Sequence, residues 1–266
     1  MPIQIRAAGV TDVGRKRKMN EDSFTTADNL GLYVVADGMG GHAAGEVASR
    51  LAVESILRHI SSADAGNATA PSEAVTRSMD DDRPVPARRV LSAIRVANQE
   101  IVRSVREDQT TRGMGTTVVM AYIQGRRAYI GSVGDSRAYL VRAGRIMQLT
   151  DDHTFVNEQV RAGTLTLAEA RRHPARNILT RAVGSQDEVD ADVIEQDLEA
   201  GDLLILCSDG LTTMIDDHDI LDVVRRQGGD PDRTCRALIN LANERGGDDN
   251  ITAILIQAGS PAASPA

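Results

Sequence analysis

The sequence predicts an α+β layered sandwich, with a mainly antiparallel β core flanked by helices. Three observations carry that expectation. Short β-branched segments recur along the chain, and turns such as RAGR (142–145) and the bend at Gly125 join neighbouring segments closely enough for hairpins. Apolar residues switch to helical spacing in two separate pairs of segments. Strands, a helix pair, more strands and a second helix pair together fit stacked layers around a shared core.

The elements follow in order. Residues 4–10 and 31–36 read as strands, separated by the charged stretch RKMNEDS (17–23), which fits a short loop or strand. The run 31–36 ends on Asp37 and is followed by three glycines in four positions. Residues 45–60 place Val47, Leu51, Ile56 and Ile60 on one helical face, and 90–105 repeats the helical period. Between them, 61–88 is rich in Ala, Ser, Asp and Pro and reads as a loop insertion. Strands are expected at 116–123, 127–133, 138–142, 146–150, 191–196, 203–207 and 251–257, and helices at 217–226 and 232–245. Residues 259–266, GSPAASPA, read as a loose tail after a single domain spanning 1–258.

With 266 residues the chain can bury a substantial core, but with no Trp, two Phe and four Tyr that core must be aliphatic. The net charge of −8 argues against nucleic acid or an anionic membrane as a partner recognised by bulk electrostatics. No run is long and apolar enough for a signal peptide or a membrane span, so a cytoplasmic protein is expected. Cys207 and Cys235 read as two buried thiols.

Acids recur at strand ends. Asp37 is one; RAYIGSVGD ends on Asp135, LLILCSD ends on Asp209, and Asp248 and Asp249 precede ITAILIQ. Any one of them fits an ordinary turn. Several together would repel one another unless a cation intervenes, and oxygen donors without a Cys or His cluster favour Mg²⁺ or Mn²⁺ over zinc. Two such ions sharing a carboxylate can generate a hydroxide beside phosphorus. RKMNEDS fits either a solvated charged stretch or a site in which Arg17 grips a phosphate and Glu21 and Asp22 order water.

RKMNED, VADGMGGHAAGE, GMGTT (113–117), GDSRAYL (134–140), CSDGL (207–211) and GGDDNIT (246–252), in this order, resemble the metal-dependent Ser/Thr protein phosphatases of the type 2C family, in its bacterial branch. The resemblance covers residues 5 to 257, and 150–184 is similar to the flap subdomain of bacterial members. It implies a central antiparallel β-sandwich flanked by pairs of antiparallel helices, α-β-β-α. It also implies Mg/Mn-dependent hydrolysis of phosphoserine and phosphothreonine on proteins by a metal-bridging hydroxide, without a phosphoenzyme. On that resemblance Asp37 would bridge two Mn²⁺ or Mg²⁺ ions and the Gly38 carbonyl would ligate one of them. Asp209 and Asp249 would complete the other site, and Glu21 and Asp22 would bind through water or lie just outside the direct ligands. Asp135, with Asp209, would form a third metal site, and Arg17 would hold the substrate phosphate. Partners would be phosphorylated proteins, including a cognate Ser/Thr kinase and its substrates, met by a monomer.

One position departs from the pattern of many eukaryotic members. They carry a histidine, the proposed general acid, where this chain has Met39; His42 is a candidate replacement, or a helix-capping or structural residue, and metal-bound water could serve instead. Competing readings are weaker. GMGGHA satisfies a permissive dinucleotide fingerprint, but Asp37 would face the pyrophosphate. A cysteine phosphatase needs an arginine six positions after its cysteine, and those positions hold Thr213 and Leu241. A catalytically dead binding module would have lost ligands that remain here, and a small phosphate ester would be an alternative substrate. The 61–88 insertion is either a tolerated surface loop or a docking element for a partner kinase or secretion component.

Overall fold

Along β3 (Leu32–Met39) successive side chains enter two different cores, which explains why its sequence is apolar without alternation. Leu32, Val34 and Ala36 face a core shared with helices, whereas Tyr33 and Val35 face a core shared with a second sheet. β10 (Leu203–Cys207) does the same from the other side: Leu203, Ile205 and Cys207 face helices, and Leu204 and Leu206 face inward. Three cores in register make four layers, helix–sheet–sheet–helix.

The computed structural model describes residues 3–40, 43–64 and 82–259. One sheet orders β2 (Asp22–Ala27), β3, β5 (Val118–Gln124), β6 (Arg127–Val133) and β9 (Asp192–Asp197), with the short β4 (Gly115–Thr116) on β3. The other orders β1 (Gln4–Asp12), β11 (Ile251–Gly259), β10, β7 (Arg137–Arg142) and β8 (Arg145–Gln148). Every pairing within these two sheets is antiparallel. Helices α1 (Ala43–Asp64) and α2 (Val85–Glu107) cover the first sheet through Ile56, Ile60, Ile94 and Ile101, all fully buried. Each contributes roughly 1.5–3 kcal/mol of apolar burial. The second sheet is covered by α6 (Asp217–Arg226) and α7 (Pro231–Glu244), which bury Ile220, Val224, Leu238 and Ile239. No helix among the described residues is long and apolar enough to cross a membrane.

The expected elements need four corrections. The strand carrying Asp37 does not end there: β4 pairs with Gly38 and Met39, so β3 runs through the acid. Residues 22–27 form a full strand, β2, paired along β3. The 61–88 loop is shorter than expected, because α1 continues to Asp64 and α2 starts at Val85. Pro86 fits that first helical turn, where a missing N–H costs nothing. The docking expectation for the insertion falls mainly on residues outside those described. Gly259 pairs with Gln4 as the last residue of β11, and the remaining tail, 260–266, lies outside the described residues. Within 150–184 the chain forms α3 (Phe155–Arg161) and α4 (Leu167–Ala170), closed by a Thr154–Leu179 bridge and joined to β4 through Thr116 and Val183.

Candidate active site

Antiparallel register sets Asp22 of β2 directly opposite Asp37 of β3. Directly opposed residues hold their Cβ atoms about 5 Å apart on one face, so two like charges are forced together. The second sheet closes over them. Ser208, after β10, and Thr252, in β11, donate hydrogen bonds to Asp22 Oδ2 at 2.8 and 2.6 Å. Asp22 Oδ1 is buried and has no hydrogen-bond partner among the described residues. Asp209 opens a short helix, α5 (Asp209–Thr212), one residue past Ser208, and Asp249 lies just before β11. Asp135 comes from the turn between β6 and β7, where the chain passes from one sheet to the other.

Burial and mutual repulsion push these carboxyls up together. Asp37 is raised well above its ordinary range, first by burial and then by Asp22, Asp209, Asp135 and Asp249. Burial is also the main cause for Asp22, pushed up to about 7, and for Asp135, pushed up to about 8 with Asp209 adding to it. Asp209 is raised by burial and by Asp249, against a hydrogen bond with Asp37 that stabilises its charge. A cluster of acids raised by desolvation and mutual repulsion, with one buried oxygen unpartnered among the described residues, is a donor set short of cations. Neighbouring Cys207 does not supply a soft ligand, because burial pushes its thiol up to about 12. The set therefore fits hard divalent ions bound by oxygen.

The surroundings hold this cluster in place. Asp37 donates its backbone N–H to Thr117 Oγ1 at 3.1 Å, and its carbonyl accepts from Thr117 N at 2.9 Å and Thr116 Oγ1 at 2.8 Å. Gly38 packs against Gly45 in the first turn of α1: a Cβ on Gly38 would lie 2.1 Å from the Gly45 carbonyl oxygen. Only glycine lets this backbone come so close. The Glu21 carboxyl carbon would lie 2.9 Å from a Cβ on Gly45, so Glu21 sits against the same helix start. Arg17 donates to Asp249 Oδ2 at 2.7 Å, and Asp37 and Glu21 also feel its charge.

Beside Asp135 the chemistry differs. Arg137 donates to both oxygens of Asp152, at 2.8 and 2.6 Å. Burial opposes the Arg137 charge, but Asp152 outweighs it and raises the guanidinium further. Buried His153 accepts from Gly134 N at 3.1 Å through Nδ1 and faces Asp192 Oδ2 at 3.1 Å through Nε2. That pattern assigns the proton to Nε2.

The structure thus brings Arg17, Glu21, Asp22, Asp37, Asp135, Asp209 and Asp249 to one end of the sandwich, with Gly38 on the same strand as Asp37. His42 lies outside the described residues. Met39 packs its side chain on Gly115. Sequence reasoning missed Asn250, buried beside Asp249, which donates to the carbonyls of Val13 at 3.0 Å and Met19 at 2.9 Å and accepts from Glu21 N at 2.7 Å. It also missed the hydroxyls of Ser208, Thr252 and Thr117. Of these, Ser208 is next to an acid, Asp209, whereas Thr117, between β4 and β5, and Thr252, within β11, carry no such local signal. A second group, Asp216, His218 and Asp219, gathers at the exposed start of α6. Asp216 and Asp219 there form a capping box, and Asp219 pairs with Arg245.

A protein phosphatase 2C family model matches residues 14–255. The serine/threonine phosphatase stp of Listeria welshimeri is 36% identical over 250 residues, 93% of this chain and 93% of that protein. Protein phosphatase PhpP of Streptococcus pneumoniae is 38% identical over 250 residues, 93% of this chain and 95% of its own length. Among solved structures, the Mycobacterium tuberculosis serine/threonine phosphatase PstP/Ppp superposes with a TM-score of 0.83 at 34% identity, covering 97% of this chain and 100% of that one. The catalytic domain of PstP in complex with two manganese ions gives 0.80 at 34% identity, covering 98% and 100%.

Proposed function

The chain belongs to the protein phosphatase 2C family, and from that premise we propose that the partly buried acid cluster is its catalytic centre. The protein is a metal-dependent serine/threonine protein phosphatase of bacterial type. On our reading it hydrolyses phosphoserine and phosphothreonine and reverses a cognate Ser/Thr kinase. Residues 1–258 would form one catalytic domain, with 150–184 as its flap.

The observation that carries this reading is the convergence of acids from distant parts of the chain on one place, where desolvation and mutual repulsion raise their carboxyls. Asp37, the Gly38 carbonyl, Asp209 and Asp249 would hold two Mn²⁺ or Mg²⁺ ions, and Asp135 with Asp209 a third. When bound, such ions supply Lewis acidity, making water a nucleophile near neutral pH and neutralising charge on the phosphoryl oxygens. The chain's own groups do the remaining work. The Arg17 guanidinium, already at the edge of the cluster, offers a planar fork for two phosphate oxygens and exchanges Asp249 for substrate. Asp22, held by Ser208 and Thr252 through one oxygen, turns its free oxygen toward ordered water. Glu21, the residue before Asp22 at the same end of β2, lies against the start of α1 and would do the same. Met39, a thioether at the position where the resemblance places a histidine in many eukaryotic members, has no proton to give to the leaving group; His42 is the candidate donor.

Hydrolysis of a phosphothreonine peptide with Mn²⁺, with and without chelator, tests the reading. Turnover that stops on chelation and returns with Mn²⁺ is expected. Turnover that survives chelation would overturn it, and a metal-loaded but inert protein would favour a binding module. Release of phosphate from an autophosphorylated Ser/Thr kinase tests the kinase-reversing role.

A further inference from the structure

A chain of net charge −8 places four cations in succession, Arg15, Lys16, Arg17 and Lys18, at the edge of its acid cluster. All four are exposed. The segment is built in rather than draped. Asn250 ties down both of its ends, through Val13 O and Met19 O, and Arg15 N and Lys16 N donate to Gly247 O at 2.7 and 3.3 Å. Gly14, at φ 81°, fits so closely that a Cβ there would lie 2.1 Å from Asp249 O.

The charges on this fixed segment are only half matched. Arg17 pairs with Asp249, and Lys16 pairs with Asp248 at 3.1 Å across two largely exposed side chains. An exposed pair of that kind is worth little and exchanges readily. The side chains of Arg15 and Lys18 have no hydrogen-bond or ion-pair partner among the described residues. Backbone pinned in one place carries little ordering cost on binding, so unmatched charges on it select partners.

We propose that this segment is a specificity surface for acidic phosphopeptides: it recognises Asp or Glu flanking the phosphorylated Ser or Thr. The proposal rests on the phosphatase reading and deepens it. With Arg17 on the phosphate, Lys18 is adjacent and Arg15 two positions away. Consecutive Cα atoms lie about 3.8 Å apart, so these side chains reach carboxylates within about three residues of the phosphorylated one. Lys16 joins them by releasing Asp248.

The test uses the Mn²⁺-loaded protein and three phosphothreonine peptides that differ only in flanking residues: Asp/Glu, Ala, or Lys. p-Nitrophenyl phosphate, which has no flanking residues, is the control substrate. We expect kcat/KM to favour the acidic over the Ala peptide by about fivefold at low ionic strength, the scale of two exposed charge pairs. The Lys peptide should be poorer still. The ratio should shrink toward one as salt screens the charges. In the double variant Arg15→Ala/Lys18→Ala the preference should disappear while turnover of p-nitrophenyl phosphate stays unchanged, which also shows that the variant is folded. Equal rates on the three peptides, or a preference that survives the double substitution, would overturn the proposal while leaving the phosphatase reading intact. Turnover of p-nitrophenyl phosphate without turnover of any phosphopeptide would instead sink the protein-substrate reading, and this inference with it.

Discussion

Around Asp37, carboxylates crowd one another and are raised by desolvation and repulsion; around Arg137, two residues along the chain from Asp135, a carboxylate faces a guanidinium. Asp22, Asp37, Asp135 and Asp209 are all raised by burial and repulsion. Asp152 is gripped at both oxygens by Arg137, and His153 is fixed between Gly134 and Asp192. Both regions lie at the same end of the same sandwich, so solvent access and packing do not separate them. The difference is where the compensating charge comes from. In the second region the chain supplies it. In the first the chain withholds it, and folding leaves a deficit that only something from solution can fill.

The largest effect should come from removing one acid from the deficient region. Asp37→Asn is expected to reduce phosphopeptide turnover by at least about a thousandfold, the scale of losing a group on which others depend. In chelator the same variant should melt higher than the parent, because one member of a repelling buried set has become neutral. Loss of activity with gain of metal-free stability is the signature to find by coupled kinetics and thermal melts. Asp152→Asn should behave oppositely, since it leaves Arg137 without its partner. Breaking a fully buried pair costs about 3–5 kcal/mol, and with the Arg137 side chain 26% exposed we expect about 2–3 kcal/mol in urea unfolding. If both variants shifted stability in the same direction, the contrast between the regions would fail.

A pH series sharpens it next. The folded-state carboxyl values are raised, so between about pH 4 and pH 8 the metal-free folded chain binds more protons than the unfolded chain. Stability in chelator is therefore greatest at the acid end of that window and falls as pH rises through about 7 to 8. Mn²⁺ should flatten this slope, because ligands held as carboxylates by an ion no longer take up protons on folding. A metal-free melting temperature that rises between pH 5 and pH 8 would contradict the assigned charge deficit.

The two regions also differ in how far the sequence reveals them. The layered sandwich is legible because strands such as 203–207 are apolar on both faces, and helices such as 217–226 keep a strict amphipathic period. β2 is not, since DSFTTA is mostly polar and becomes a strand through pairing with β3. The acids at strand ends are conspicuous because each interrupts an apolar run. Asn250 is invisible for the opposite reason: an Asn after two Asp residues looks like any turn, and its three hydrogen bonds reach residues more than 200 positions away. The Arg137–Asp152 pair is hidden likewise, as its partners are 15 residues apart on either side of a hairpin. Local pattern reports burial and turns, whereas side-chain pairing across sheets exists only once the sheets have stacked.

The smallest effect concerns Arg17, the cation that donates a hydrogen bond to an acid of the deficient region. Burial opposes the Arg17 charge and Asp249 more than restores it, so the guanidinium stays charged throughout the working range. It is half exposed, which means its contact with Asp249 contributes little to folding and is free to be traded. Arg17→Ala should therefore leave the melting temperature nearly unchanged while raising KM for a phosphopeptide about tenfold, the scale of one charged hydrogen bond to phosphate. Its kcat should change much less, because a grip on the ground-state phosphate is shared by the transition state. An unchanged KM with a collapsed kcat would move Arg17 from holding the phosphate to stabilising charge in the reaction itself. The deficient region would then contain a catalytic cation supplied by the chain after all.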